Sequence, residues 1–144
     1  MNLVQEVEHY CQVRGLRLTS GRQQLLQLLM HYSGKAMTAY GLLEQWQQQH
    51  PSVKPATVYR ALDFFLQHGI IHRLNSVNGF VLCQHLGCRH SAQLFICQQC
   101  LKVEEFKDDD IAKRLQQAAT GHGFRLQSQN IELNGVCHSC QQKT

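Results

Sequence analysis

A chain of 144 residues, 43% hydrophobic and 17% charged, is long enough for one domain or two small ones, and this composition argues against a disordered or fibrous chain. The formal charge of +4 sits mainly in the first half, with seven basic against four acidic residues in 1–75 and seven against six in 76–144; this suits phosphate contact without establishing it. No apolar run approaches the ~18 residues of a membrane span, and no basic segment precedes an apolar core at the N-terminus, so the expectation is a soluble, cytoplasmic protein with no membrane partner.

In chain order, Leu3, Val7, Tyr10 and Cys11 recur at helical spacing and predict a first helix over 2–14, ended by Gly15. Thr19 is placed as the N-cap of a second helix carrying Leu25, Leu26, Leu28, Leu29 and Met30, which Ser33-Gly34 closes. Thr38 caps a third, with Ala39, Leu42, Leu43 and Trp46 as its buried stripe, and both prolines of the chain fall in the turn His50–Pro55. The clearest period follows: Val58, Ala61, Leu62, Phe65 and Leu66 mark one face of a fourth helix that Gly69 ends, leaving Thr57, Tyr59, Arg60, Asp63 and Gln67 opposite. Two β-rich runs, Ile70–Leu74 and Phe80–Cys83, joined by Asn75–Gly79, predict a hairpin. Helices followed by a hairpin describe a winged helix-turn-helix.

The second half reads as strand (Ala92–Cys97), strand (Leu101–Phe106), helix (about Asp109–Thr120) and a long strand (Phe124–Leu133), so the fold class is α+β. Asp108, Asp109 and Asp110 sit where a helix N-terminus favours negative charge. The expected organisation is a winged-helix domain over 1–83, a polar linker over 84–91 and a small α/β domain over 92–144.

Seven cysteines and nine histidines are more telling than the charge. Cys97-Gln-Gln-Cys100 and Cys137-His-Ser-Cys140 are two C-x2-C knuckles, and four thiolates in tetrahedral array are what a closed structural zinc site uses. A pair of redox dithiols is the alternative, and two knuckles together make it the minority reading. The gap of 36 residues between knuckles is accounted for if the last strand returns beside the first. Cys11 reads as a buried free thiol, and Cys88 has no assigned partner.

The stretches Leu18-Thr19-x-x-Arg22, Thr57-Val58-Tyr59-Arg60-Ala61-Leu62 and Phe95-Ile96-Cys97-x-x-Cys100, in this order with the hairpin, resemble the ferric uptake regulator superfamily over nearly the full length. Lys54-Pro55-x-Thr57 through Phe64, with Val81-Leu82-Cys83, is most similar to its zinc uptake regulator branch; Ser20 stands where relatives usually have proline. The resemblance implies a homodimer, its second domain being the dimerisation domain. It also implies a regulatory metal site of His72, Cys83, His90 and Glu105, hence two zinc ions per protomer. Two imidazoles, a thiolate and a carboxylate fit a tetrahedral ion, and the sulfur favours zinc over iron(II) or manganese(II). A further site known among relatives uses a histidine-rich run before the first knuckle and a histidine on the last long strand; here His90-Ser91-Ala92-Gln93 and Gln127-Ser128-Gln129-Asn130 stand in those places, and that site is not expected.

Tyr59 and Arg60 lie in the opening turns of the recognition helix, where a helix-turn-helix places its base readers, and arginine can pair with guanine O6 and N7. Thr57 shares that face, and Arg22, Lys54 and Tyr40 are candidate phosphate contacts. The expected function is a zinc-loaded repressor of zinc-uptake genes, binding operator DNA as a homodimer. The alternatives are an iron or peroxide sensor of the same superfamily, and a zinc buffer or thiol-redox protein. No Gly-rich phosphate loop, nucleophile elbow or His-Glu-x-x-His motif is present, so neither an enzyme nor a small-molecule substrate is expected.

Overall fold

The computed structural model describes residues 2–87 and 91–143, with Ser91 described by its backbone alone. The chain divides into two compact units, Met1–Gly87 and Cys88–Thr144. The His90 ligand expectation and Cys88 therefore lie outside the described residues.

The first unit holds α1 (Leu3–Val13), α2 (Ser20–His31), α3 (Ala39–Gln49), α4 (Pro55–Gln67) and the hairpin β1 (Ile71–Leu74) and β2 (Gly79–Leu82). Capping sets the helix starts. Asn2 and Gln5 exchange side-chain bonds with each other's backbone N–H, a capping box; the Thr19 and Thr38 hydroxyls accept from the Arg22 and Gly41 N–H groups. Lys54 makes no cap bond with its side chain, and α4 starts instead on Pro55, whose missing N–H costs nothing at a first helical position. Gly69 follows α4 with φ +69°, a conformation that disfavours a side chain.

The helices close around a single core, in which Val7, Leu25, Leu42, Val58, Leu62 and Phe65 are buried. Two part-buried polar anchors orient them: the Tyr10 hydroxyl donates to the His68 carbonyl (2.7 Å), joining α1 to the end of α4, and Trp46 Nε1 donates to Gln24 Oε1 (2.8 Å), joining α3 to α2. The hairpin register pairs His72 with Val81, and Phe80 also exchanges two backbone bonds with Met37 (2.7 and 3.0 Å), a third partner the sequence did not reveal. Gly79 permits this approach, since a Cβ there would lie 3.3 Å from the Met37 carbonyl oxygen.

The second unit is a three-stranded sheet of order β4-β3-β5 with one crossover helix: β3 (Ser91–Cys97), β4 (Val103–Phe106), α5 (Asp109–Gly121) and β5 (Gln129–Gly135), then a short α6 (His138–Gln141). β5 runs parallel to β3, which requires a long connection, and α5 supplies it. The Asp108 side chain caps α5, and buried Gln93 grips the Asp108 backbone through both ends of its amide (3.0 Å each), locking the helix start to β3.

Two sequence expectations are corrected. The last strand begins at Gln129 rather than Phe124: Gly123 turns left-handed, Phe124 N–H is still bonded to Ala119 of α5, and β3 starts at Ser91, opposite Gln129. The second strand begins at Val103 rather than Leu101, because the turn after Cys97 takes Leu101 into the left-handed region at φ 65°.

Candidate functional site

The strongest site is the four-thiol cluster. β3 delivers Cys97 at its end, and a tight turn closed by Leu101 N–H on the Cys97 carbonyl (3.0 Å) brings Cys100 back beside it. β5 ends at Gly135, directly opposite Cys97, and Gln98 N–H bonds the Gly135 carbonyl (2.8 Å). Two residues on, Cys137 is the N-cap of α6, so Cys140 stands one turn later on the same side. All four sulfurs lie within 4.8 Å of one another, and Cys100 Sγ is 3.7 Å from Cys137 Sγ. A tetrahedral shell with zinc–sulfur bonds of ~2.3 Å has edges of about 3.8 Å, so this donor set fits zinc in both chemistry and size.

The backbone prepares these thiols for a cation. N–H groups of Cys100, Cys137 and Gln99 point at Cys97 and lower its thiol from 9.0 to about 6; the Cys137 N–H lies 3.3 Å from that sulfur. Cys137 is also lowered, chiefly by the Cys140 backbone N–H. Cys140 is pushed up to about 12, first by its bond with the Cys137 thiol and then by burial. Four adjacent thiolates repel each other, and a divalent ion removes that opposition. Cys11, by contrast, is buried among apolar side chains that raise its thiol, as a packing residue should be.

Among the other metal-ligand expectations, His72 is half-buried on β1 and Cys83 is buried just after β2. Both belong to one face of the hairpin, since His72 pairs with Val81 and Cys83 follows two residues later; their ligand atoms lie within 4.8 Å of each other. The His85 N–H donates to Cys83 Sγ (3.3 Å) and the thiol donates to the His85 carbonyl (3.0 Å). Glu105 is half-buried on β4 of the second unit, opposite Leu94. His85, His122 and His138 are exposed.

On the helical side, Tyr59 is 55% exposed and Arg60 is exposed too, in the first turns of α4, with Arg60 Nε donating to the Ala56 carbonyl (3.3 Å). Arg22, Thr57 and Arg60 come together with Thr19, Gly21 and Ala61 around a groove of about 260 Å³. Lys54 and Tyr40 are exposed and do not line it. No sequence signal pointed to Phe64, whose ring lies under the Arg22 guanidinium at 3.7 Å.

The second unit also presents an apolar surface. Phe95 and Leu133 face each other across β3 and β5, are 48% and 45% exposed, and border a groove of about 400 Å³ that reaches Val136 and Cys137. Phe106 stacks on Phe95 at 4.4 Å, and α5 buries none of its residues, leaving Ile111 and Leu115 open. Among the described residues no helix is long and apolar enough to cross a membrane.

A winged helix-turn-helix unit whose fourth helix exposes Tyr59 and Arg60, followed by a sheet unit that gathers four thiols, defines a metal-binding winged-helix protein. The chain belongs to the ferric uptake regulator family, whose profile matches residues 13–134. The zinc uptake regulation protein of Escherichia coli (strain K12) is 38% identical over 140 residues, covering 96% of this chain and 81% of that protein. The ferric uptake regulation protein of the same strain is 34% identical over 126 residues, covering 85% and 82%. Among solved structures, a zinc uptake regulator complexed with zinc and DNA superposes with a TM-score of 0.90 at 35% identity, over 98% of this chain and 94% of that one. Holo XcZur superposes with a TM-score of 0.84 at 40% identity, over 96% of both chains.

Proposed function

We propose that this chain is a zinc-responsive transcriptional repressor that binds operator DNA as a homodimer and restrains zinc-uptake genes in the cytoplasm. The single observation that carries this reading is the pairing, in one chain, of an exposed Tyr59-Arg60 recognition turn with a thiol cluster of zinc dimensions. The similarity to zinc uptake regulators, one of them in complex with zinc and DNA, supports it.

Two zinc ions per protomer are assigned different work. Cys97, Cys100, Cys137 and Cys140 hold a structural ion that secures the second unit. His72 and Cys83, with His90 and Glu105, hold a regulatory ion; the sulfur in that set favours zinc over iron(II). A ligand set drawn from both units makes their coupling depend on metal, and a two-state equilibrium moves from mostly one state to mostly the other with about 5.5 kcal/mol of differential binding. Arg60 and Tyr59 read bases, while Thr57, Arg22, Lys54 and Tyr40 contact the backbone. The exposed Phe95, Leu133, Ile111 and Leu115 supply an apolar surface of the kind a second copy covers.

The test is a gel-shift series on a candidate zinc-uptake promoter with metal-stripped and zinc-reconstituted protein. Zinc should restore binding that stripping abolishes, and Cys83→Ser should impair that response while the protein stays folded and dimeric. Equal operator binding with and without zinc would refute the repressor switch.

A further inference from the structure

We propose that the groove between the start of α2 and the first turns of α4 takes a phosphate group, and that Phe64 is the positioning residue holding Arg22 ready for it. Resting on the DNA-binding reading above, this makes the occupant a backbone phosphodiester of the duplex.

The lining carries the chemistry. Thr19, Gly21, Arg22, Thr57, Arg60 and Ala61 bring two guanidinium groups and two hydroxyls to one groove, and no carboxylate is among them. Fixed cations beside hydroxyl donors match a tetrahedral oxyanion, and guanidinium pairs with phosphate through charge-assisted bonds of defined direction.

Arg22 is already constrained where a surface arginine would ordinarily be free. Its guanidinium carbon lies 3.7 Å from the Phe64 ring centroid, and Nη1 donates to the Arg17 carbonyl at 2.6 Å. With one face on the ring and one N–H used, the remaining edge donors are left for a ligand. An arginine held this way loses less rotamer freedom on capturing an anion than one moving in solvent. Phe64 is itself fixed, with its ring 5.6 Å from Phe65 and 4.8 Å from His68.

The arrangement also ties backbone contact to base reading. Thr57, Arg60, Ala61 and Phe64 follow one another at i, i+3, i+4 and i+7 along α4, so a single stripe of the recognition helix carries both the groove wall and the aromatic prop. A phosphate seated against Arg22 would fix how deeply that stripe enters the major groove, and so where Tyr59 meets a base edge.

The experiment uses full-length zinc-loaded protein and two duplexes, one selected by the protein from a random pool and one of random sequence, with affinity followed from about 50 to 200 mM salt. Arg22→Gln should weaken both duplexes by the same factor, about tenfold, and reduce the slope of log K against log salt by about one. Phe64→Leu should weaken both about threefold with unchanged melting, and Phe64→Tyr, which keeps the ring, should restore full affinity. In a second arm, inorganic phosphate is titrated while the Gly21 amide is followed by NMR; it should shift in the parent protein and not in Arg22→Gln. Parent protein that selected no duplex from the pool and bound none, but still showed the phosphate shift, would sink the DNA reading and leave free phosphate as the groove's ligand. Loss confined to the selected duplex, an unchanged salt slope in Arg22→Gln, or full affinity in Phe64→Leu would overturn the proposal.

Discussion

Replacing Cys97 by serine removes one corner of the four-sulfur shell and changes almost nothing else in volume. Structural zinc in small domains contributes roughly 10–16 kcal/mol of apparent binding free energy, so an even share is about 3 kcal/mol per ligand, or more than a hundredfold in affinity. The second unit has little of its own with which to offset that loss: among the described residues, apart from the cysteines, its buried apolar side chains are Ala92, Leu94, Ile96 and Val103. A domain of roughly 60 residues is marginal without such support, and ~3 kcal/mol there moves a melting transition by about 15 °C. The variant should therefore lose one equivalent of zinc relative to the parent after dialysis against a mild chelator. Calorimetry should show the transition of the second unit falling by that amount while the helical unit, with its own core, melts as before. A variant that keeps its full zinc content and melts with the parent would refute the assignment of a structural ion to these thiols.

The pH dependence follows from the same cluster. Its N–H donors hold Cys97 down at about 6, so its thiolate persists at neutral pH and takes up a proton only as pH falls through that value. Competition titrations should show zinc affinity declining with pH and the decline steepening by about tenfold per unit below ~6; a constant slope through that region would contradict the N–H···S account. Arg60→Ala should flatten sequence preference by about 1–3 kcal/mol at one guanine position, measured by footprinting and competition against substituted operators. Leu101→Gly should leave the second unit as stable or raise its melting, because a bulky residue at φ 65° carries backbone strain on the order of 1 kcal/mol; a large loss would mean the Leu101 side chain matters more than its backbone.

Local signals in the chain carry far. Thr19 and Thr38 cap the helices expected of them, the Val58-to-Phe65 period marks the buried face of α4, and the two knuckles converge as their spacing implies. The misplaced start of β5 shows the limit: Phe124–Ser128 has strand-like residues, but pairing depends on where β3 begins and how α5 ends, and both are non-local. α6 is too short to leave a period, and Pro55 opening α4 was hidden by its place in a proline-bracketed turn. Phe64 was obscure for another reason. On the helix pattern it is a half-buried flank of the core, and only the folded chain brings Arg22 over its ring from 42 positions away.

The parallel alignment that sets Cys97 against Gly135 would also make a metal held by the four thiols a proofreader of strand pairing. A slip of one residue would displace the second knuckle by ~3.3 Å and turn its side chains to the opposite face, whereas ligand distances tolerate only about 0.2 Å. Misaligned chains would thus forgo the ion altogether, remaining open to proteases that the correctly threaded molecule resists.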